Sequence, residues 1–436
     1  MIDWAQIAPA LASLAAQAPA ARSISLSVRL PCWPAINPEA AGEWCFWQRP
    51  EQGLRLLGAG IALRALTSGN GRFAALAAAQ RGLIAGWRYA GEPPRAFTGF
   101  AFTPEGGEPL PNASLWVPEL LLTERSGHVS LTLSTAAERA QTALARWRSL
   151  WNDLLRPRAQ RRTTPLTLQK AALSEQAFLA RGRAALAAIR RGELDKLVVT
   201  RSLELRGDVD EQAALIDFLT RHHPSCATYA LGGPGFAFIG ASPETLLALD
   251  GDEVAVDALA GTGWHTSPRA LSDDKNRREH DVVVRAIIAA LEDQCTDILL
   301  PSAPEVLQLE GLSHLRRRIL ARRRADVGPF DLIIRLHPTP AVGGTPTPAA
   351  LDWLERHHDR RGAWYTGGFG WVDAAGDGDI AVCLRCGLLE DGRITLYAGA
   401  GFVDGSVPEQ ELAETEAKLC AMRDALFASQ RRQAAA

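Results

Sequence analysis

The chain has 436 residues, of which 47% are hydrophobic and 22% charged, and its formal net charge is −2. This composition is too apolar for a disordered chain and lacks the basic excess of most nucleic-acid-binding proteins. The uncharged run at 226–243 is broken by glycine and proline, unlike a membrane helix, and the N-terminus has no basic stretch of a signal peptide, so we expect neither a nucleic-acid nor a membrane partner.

Residues 1–155 are predicted to be a strand-rich N-terminal part that packs on the remainder. Apolar residues recur every three or four positions from Thr135 to Leu155, which predicts a helix. Residues 156–169 are charged, contain proline and lack periodicity, so they are the predicted linker. The other elements predicted here are strands at Ser23–Leu30, Glu43–Arg49 and Ser130–Leu133 and a helix at Gly71–Gln80.

Residues 170–430 are predicted to form the catalytic region. Ser174 is a candidate N-cap for a helix that runs towards Glu193, and further helices are predicted at Asp274–Asp293 and from about Pro408 to Ser429. Strands with glycine-rich connections lie between them. Because helices and strands mix without strict alternation, we expect an α+β fold, a large layered sandwich of extended antiparallel sheets flanked by helices, rather than a doubly wound parallel sheet.

The seven cysteines are odd in number and scattered, which suits a reducing compartment, so a cytoplasmic location is expected. Cys383 and Cys386 form a CxxC pair inside the apolar segment Ile380–Leu389, which predicts one buried strand. Residues three apart on a strand point to opposite faces, so no zinc site is expected there.

Two segments raise the question of anion binding. The arginines of His314–Arg324 fall in two clusters, which indicates a solvated helix face, with an anionic partner as the alternative. Gly399 and Gly401 follow a predicted strand, Arg393–Ala398, but Asp404 stands where a dinucleotide fingerprint needs glycine. The backbone N–H groups of these glycines could still approach an anionic ligand.

Lysine is rare in this chain, because arginine accounts for 43 of the 47 basic residues. A lysine can lose its proton and act as a base, whereas arginine stays protonated. The four lysines are Lys170, Lys196, Lys275 and Lys418, and they are therefore candidates for positions that arginine cannot fill. The last three lie in the motifs described below.

Carboxylates on two predicted helices indicate a metal site. Glu279 lies early in one helix, and Glu411 and Glu414 share a face of the C-terminal helix because they are three residues apart. Oxygen ligands without histidine or cysteine suit Mg²⁺ better than zinc. Surface salt bridges are the alternative interpretation.

Nine segments, in this order, carry a family resemblance: Lys196–Arg201, Ser242–Leu246, Ala258–Thr262, Lys275–His280, Leu336–Gly344, Tyr365–Gly367, Ile380–Arg385, Ala398–Gly401 and Glu409–Lys418. Together they resemble the chorismate-utilising enzymes, which include anthranilate, aminodeoxychorismate, salicylate and isochorismate synthases. The resemblance covers about half of the chain, and the residues before 196 share only a strand-rich pattern with the family.

Within this family, three features imply that water is the nucleophile. Lys196 stands where the ammonia-delivering members resemble each other in having glutamine, and Ala260 stands where aminodeoxychorismate synthases often have lysine. The segment LHPTPAVGG at 336–344 is similar to that of isochorismate synthases. We therefore expect neither a fused glutaminase domain nor a glutaminase subunit.

The resemblance also implies roles for individual residues. Lys196 is the expected base and Glu244 the expected acid in the conversion of chorismate to isochorismate, which adds water at ring position 2 and removes the 4-hydroxyl. Mg²⁺ is the expected cofactor, held by Glu279 and Glu414 with Glu411 nearby. Asn276 is acidic in some relatives, which implies a thinner outer metal shell here. The expected substrate-binding residues are Gly261, Thr262, His314, Tyr365, Arg385, Gly399, Gly401 and Lys418.

Two alternatives remain beside this assignment. One is a salicylate synthase, or another chorismate-utilising enzyme, which would also eliminate pyruvate. The other is an arginine-rich protein that binds an anionic partner on a degenerate enzyme fold, although Lys196, Glu244, Glu279 and Glu414 are all present. The expected oligomeric state is a monomer.

Overall fold

The computed structural model describes residues 2–17, 22–158, 164–169, 171–209, 211–264 and 273–434. Within these ranges the α-helices are α1 Trp4–Gln17, α2 Arg72–Gly86, α3 Ala140–Leu154, α4 Ala171–Arg190, α5 Gln212–His222, α6 Asp274–Glu292, α7 Pro329–Leu336, α8 Thr347–Arg356 and α9 Pro408–Ala434. No helix among the described residues is both long and apolar enough to span a membrane.

The strands of the described ranges are β1 Ser23–Leu30, β2 Trp44–Arg49, β3 Leu54–Ala59, β4 Leu63–Thr67, β5 Trp87–Ala90, β6 Arg95–Phe100, β7 Ala113–Val117, β8 Leu120–Arg125, β9 His128–Ala136, β10 Thr167–Gln169, β11 Lys196–Arg206, β12 Ala227–Gly233, β13 Phe236–Ser242, β14 Thr245–Asp250, β15 Glu253–Trp264, β16 Cys295–Leu299, β17 Glu305–Gln308, β18 Leu312–Arg323, β19 Gly344–Thr345, β20 Gly368–Asp373, β21 Gly378–Val382, β22 Cys386–Glu390 and β23 Arg393–Val403.

These strands form two large sheets. Sheet 1 has 13 strands in the order β10-β11-β23-β22-β13-β12-β2-β3-β8-β9-β1-β5, with β19 paired to β11. Sheet 2 has 10 strands in the order β16-β18-β15-β14-β21-β20-β6-β7-β4, with β17 paired to β18. The pairings are antiparallel, apart from the parallel pairing of β1 with β5. The expected α+β class with extended antiparallel sheets is confirmed.

The core lies in layers because each sheet is apolar on both faces. Aromatic side chains fill the space between the sheets, among them Trp47 of sheet 1 and Phe97 and Phe369 of sheet 2. Helices α2, α6 and α7 pack on the outer face of sheet 2, and α1, α3, α5 and α9 pack on that of sheet 1. The expected flanking helices are therefore present on both sides.

Both sheets contain strands from the two halves of the chain. In sheet 1, β2 pairs with β12, and in sheet 2, β6 pairs with β20. Within the predicted linker, 167–169 form β10, which pairs with β11. The division at 155 and 170 stays a prediction, and the shared sheets show how closely the two parts are joined.

Several predicted elements are confirmed, including β1, α6 and the C-terminal helix α9, and two boundaries were wrong. Thr135 and Ala136 belong to β9, where they pair with Ile24 and Ser23 of β1, so strand pairing overrides the local helical pattern. Ser174 is not the N-cap, because α4 already begins at Ala171; its Oγ donates to the carbonyl of Ser202 at 2.6 Å.

The arginine-rich segment His314–Arg324 was interpreted as a helix face, and this was wrong. The residues up to Arg323 lie in β18, which pairs with β15, β16 and β17. Arg316, Arg318 and Arg322 alternate along one face and form ion pairs with acids of neighbouring strands and turns, Glu305, Asp257 and Asp252. Cross-strand charge pairing makes this sequence compatible with a strand.

The segment Ile380–Leu389 is two strands rather than one. β21 of sheet 2 ends at Val382, and β22 of sheet 1 begins at Cys386. Arg385, with φ +48°, lies in the left-handed region at the point where the chain changes sheets. Cys383 and Cys386 are buried free thiols. The next strand, β23, continues past Ala398 to Val403, so Gly399 and Gly401 lie within a strand and not in a turn after it.

A buried ion pair connects the two sheets and yields a stability prediction. Arg49 of β2 donates two hydrogen bonds to Asp379 of β21, at 2.7 and 2.8 Å, and both side chains are less than one-tenth exposed. Arg49→Met leaves a buried carboxylate unpaired and is expected to cost about 3–5 kcal/mol. The urea midpoint measures this loss.

The control for this prediction is Arg64→Met, which removes an exposed partner of Glu43 and is expected to cost about 0–1 kcal/mol. Equal shifts of the two urea midpoints would show that the Arg49–Asp379 pair contributes no more to stability than an exposed ion pair does.

Candidate active site

One cavity brings the predicted site residues together. Their positions are distant in sequence, and they come from β11, β15, β18, β23, α6, α9 and the connections after β13, α8 and β21. The predicted site residues that line the cavity are Lys196, Glu244, Gly261, Thr262, Glu279, His314, Tyr365, Arg385, Gly399, Gly401, Glu414 and Lys418. Glu411 does not line the cavity.

Two positions in the site require glycine, Gly401 for space and Gly261 for its backbone conformation. A Cβ atom on Gly401 would lie 2.4 Å from Oε1 of Glu279 and 3.0 Å from Cε of Lys196. Gly261 has φ +81° at an irregularity in the β15–β18 pairing, between Ala260 and Thr262. Both positions therefore need glycine, one for close approach and the other for its backbone conformation.

Lys196 is the first residue of β11 and is buried, with 1% of its surface exposed. Its ammonium lies 3.0 Å from Oε1 of Glu279 on α6. A buried charge needs a partner, and Glu279 is that partner. The predicted base and a predicted metal ligand are thus in direct contact.

All three lysines that the structure describes pair with a predicted metal-site carboxylate. Beside the Lys196–Glu279 pair, Nζ of Lys418 lies 2.6 Å from Glu414, and it also donates to the carbonyl of Gly399 at 2.8 Å. Nζ of Lys275 lies 2.5 Å from Glu411. The fourth lysine, Lys170, falls outside the described residues. The role of Lys275 was missed from sequence, although the scarcity of lysine had marked it.

The two carboxylates of α9 titrate differently because their surroundings differ. Burial raises the pKa of Glu411 to about 7, and the nearby charge of Glu414 adds to this effect. Burial acts on Glu414 in the same direction, but the Lys418 ammonium outweighs it and lowers the pKa of Glu414 to about 2. Glu414 is therefore an anion at neutral pH and is available to a cation.

Glu244 lies in the turn between β13 of sheet 1 and β14 of sheet 2 and is 3% exposed. Its backbone carbonyl accepts from Val382 N at 3.1 Å, while its Oε1 is buried and makes no hydrogen bond within the described part of the chain. Burial and the negative charge of Asp257 raise the pKa of Glu244 to about 8. At neutral pH, Glu244 therefore holds a proton that it can donate.

Arg385 is held in the cavity by a histidine. Its Nη2 donates to Nε2 of His314 at 2.9 Å, so His314 accepts there and carries its proton on Nδ1, which faces Thr262 Oγ1 at 3.2 Å. Burial and the Arg385 charge lower the pKa of His314 to about 3. His314 is therefore neutral, and its contacts orient Arg385. Tyr365 stacks on Tyr397 with ring centroids 5.3 Å apart.

The cavity contains carboxylate oxygens of the kind that a hard divalent cation binds, from Glu279 and Glu414. Among the described residues, no group of three or more histidine, cysteine, aspartate or glutamate side chains could hold a metal ion. Mg²⁺ commonly uses only one or two protein carboxylates and completes its shell with substrate and water. Glu279 and Glu414 line the same cavity and fit that pattern as a two-carboxylate set. Glu411, which is paired with Lys275, does not join them in the lining.

Comparisons with known proteins agree with this arrangement. The model of the chorismate binding enzyme family matches residues 16–427. The salicylate biosynthesis isochorismate synthase of Pseudomonas aeruginosa is 34% identical over 405 residues, covering 88% of this chain and 84% of that protein. Isochorismate synthase MenF of Bacillus subtilis is 31% identical over 356 residues, covering 78% of this chain and 76% of that protein.

A solved structure shows the same architecture. The structure of MenF, the menaquinone-specific isochorismate synthase of Escherichia coli, superposes with a TM-score of 0.78 at 25% identity. The match covers 96% of this chain and 99% of that one, so the fold is shared over nearly the whole length of both.

Proposed function

The chain belongs to the chorismate-binding enzyme family, and from this membership we propose that it is an isochorismate synthase that converts chorismate to isochorismate. The main support is that one cavity contains a candidate base and a candidate acid. The base is the buried Lys196, and the acid is Glu244, which retains its proton at neutral pH. An isomerisation that exchanges one hydroxyl position for another needs both a base and an acid.

The proton transfers follow from these two residues. To act as the base, Lys196 must first release one proton of its ammonium; its amine then accepts a proton from the water whose oxygen bonds to ring position 2. Glu244 donates its proton to the hydroxyl at position 4, which leaves as water while the ring double bonds shift. Atoms balance because one water enters and one departs. Each transfer contributes about 10²–10⁴-fold when the group is well placed.

Two carboxylates on the substrate explain the cations of the cavity. We propose that Arg385, Tyr365 and the backbone at Gly399–Gly401 hold the enolpyruvyl carboxylate, because a guanidinium grips a carboxylate with two hydrogen bonds. His314 and Thr262 then act on that carboxylate through Arg385.

We propose Mg²⁺ as the cofactor, with Glu279 and Glu414 as its protein ligands. Bound there, it would supply positive charge for the ring carboxylate and compete with the Lys196 ammonium for Glu279. The support is the chemistry of the two carboxylates and their shared cavity. A role for Glu411 in the metal shell stays a prediction.

The proposals for the nucleophile, the location and the oligomeric state rest on sequence features. Lys196 in place of glutamine supports an enzyme that works with water and without a glutaminase subunit. We propose a cytoplasmic monomer, in line with the scattered free cysteines. The isochorismate would supply menaquinone, siderophore or salicylate biosynthesis. In support, relatives are named for salicylate biosynthesis, for menaquinone and for 2,3-dihydroxybenzoate.

Product analysis tests the proposed function. The purified protein is incubated with chorismate and MgCl₂, and the products are separated by chromatography. We expect isochorismate, with the enolpyruvyl group retained and no free pyruvate. Glu244→Gln is the matched control and should yield almost none. Fluorescent salicylate with stoichiometric pyruvate would instead identify a salicylate synthase, and unconverted chorismate would contradict the proposal.

The pH profile tests the role of Glu244. Because its pKa is raised to about 8, Glu244 is protonated below that pH and loses its donor proton above it. We expect kcat to fall about tenfold per pH unit above this limit. The measurement is kcat between pH 6 and 10, with circular dichroism to show that the fold persists. A profile with no alkaline limb, or the same limb in Glu244→Gln, would remove Glu244 from the role of acid.

A further inference from the structure

A buried aspartate holds the turn that carries Glu244. Asp257 lies in β15 and is 2% exposed. Its Oδ2 accepts the backbone N–H of Thr245, the residue after Glu244, at 3.1 Å. The other bonds of the turn are donated by Val382 N and Ser242 Oγ to the Glu244 carbonyl and by Glu244 N to Ser242 Oγ. Asp257 is thus the only side-chain carboxylate among the hydrogen bonds that the described residues give this turn.

The carboxyl groups of Asp257 and Glu244 are both buried. Oδ1 of Asp257 and Oε1 of Glu244 are both buried without a hydrogen-bond partner in the described ranges. Two neighbouring buried carboxyl groups do not both ionise readily, and a hydrogen bond from an N–H group favours the ionised form of the acceptor. Asp257 accepts such a bond from Thr245 N, and burial together with the charge of Asp257 raises the pKa of Glu244.

The surrounding charges also act on these two carboxyl groups. Arg318, the cross-strand partner of Asp257 on β18, brings Nη1 within 3.9 Å of Oδ1. Arg49 also acts on Asp257, although its hydrogen bonds go to Asp379. Glu244 shares its cavity with the following charged or titratable side chains: Lys196, Glu279, His314, Tyr365, Arg385, Tyr397, Glu414 and Lys418. Lys196 and Lys418 act on Glu244 in favour of its ionised form, and burial together with Asp257 outweighs them.

We propose that Asp257 is a positioning residue for the acid of the reaction: its carboxylate fixes the backbone beside Glu244, and its negative charge keeps the proton on Glu244. The inference rests on the proposed function for its catalytic meaning. Asp257 is not among the residues that line the cavity, so it acts through Glu244. It was absent from the residues inferred from sequence, although a carboxylate inside an otherwise apolar strand was a signal.

Asp257→Asn separates the two parts of this role. The asparagine carbonyl can still accept the Thr245 N–H, whereas the negative charge is gone. We expect the alkaline limb of the kcat profile to move down by about one pH unit or more. At pH 6, where Glu244 remains protonated, kcat should stay near the wild-type value. Asp252→Asn is the matched control. It removes an exposed carboxylate, paired with Arg322, from the turn between β14 and β15. The pH profile of this variant should match that of the wild type.

Infrared difference spectroscopy on the free enzyme makes the test independent of turnover. The carbonyl stretch of protonated Glu244, identified by its loss in Glu244→Gln, should disappear at lower pH in Asp257→Asn than in the wild type. If no isochorismate forms but this titration shifts as described, the proposed function fails and the Asp257–Glu244 coupling stands. If isochorismate forms and the titration does not shift, the inference about Asp257 is overturned.

A second variant covers the case in which Asp257→Asn does not fold. Arg318→Gln removes a cation beside Asp257 from a side chain that is 41% exposed, so the fold should tolerate it. The loss of positive charge should move the alkaline limb and the infrared titration to higher pH. An unchanged limb in the folded variants, or an equal loss of kcat at every pH, would reduce Asp257 to a structural residue and overturn the proposal.

Discussion

Replacing Lys196 by arginine is expected to lower kcat by about 10²–10⁴-fold, although the positive charge is kept. Arginine does not release its proton near neutral pH, so it cannot accept one from the attacking water. Chorismate should still bind with similar affinity, because the work of a general base is expressed in the transition state. Steady-state kinetics and calorimetric titration with chorismate measure the two effects separately.

The structure sharpens this experiment because space around Lys196 is limited. A Cβ atom on Gly401 would already lie 3.0 Å from Cε of Lys196, so a guanidinium must displace its neighbours. Lys196→Met, which is smaller and uncharged, is therefore measured alongside and should lose kcat to a similar extent. Lys170→Arg, outside every motif, is the control and should behave as wild type. A Lys196→Arg enzyme with more than about a tenth of wild-type kcat would show that another group is the base.

Removal of divalent cations is expected to abolish turnover, and added Mg²⁺ is expected to restore it. A cavity with two carboxylates facing a dianionic substrate needs further positive charge, which a hard cation supplies through oxygen ligands. Glu279→Gln and Glu414→Gln should each weaken the binding of Mg²⁺, because a neutral amide is a poorer ligand. Titration with Mn²⁺, followed by electron paramagnetic resonance, reports binding without turnover.

Glu411→Gln is the matched variant for the metal experiment. Glu411 is on the same helix as Glu414, but it pairs with Lys275 and does not line the cavity. A loss of Mn²⁺ affinity as large as that of Glu414→Gln would place Glu411 in the metal shell, whereas a small loss would leave the site to two carboxylates. Full activity in EDTA after exhaustive dialysis would contradict the metal assignment altogether.

Local elements could be predicted from the sequence more accurately than features that depend on pairing between distant strands. The pattern of Ser23–Leu30 predicted β1 within its observed bounds, because the alternation of polar and apolar residues is a local property of the sequence. The arginines of β18 were assigned to a helix because their acidic partners, Glu305 and Asp252, lie on other strands and turns. The break between β21 and β22 was missed because an apolar run does not reveal a change of sheet.

The sequence by itself determined the residue types and the order of the motifs, and through them the family, the cavity residues and the expected roles of Lys196 and Glu244. Only the tertiary structure decided how these groups are charged. The pKa of Glu244 rises because two sheets bury it and Asp257 approaches from another strand. The lysine–glutamate pairs likewise join β11 to α6, and α6 to α9. Electrostatic energies depend on distance and burial, and residues far apart in sequence acquire both only when the chain folds.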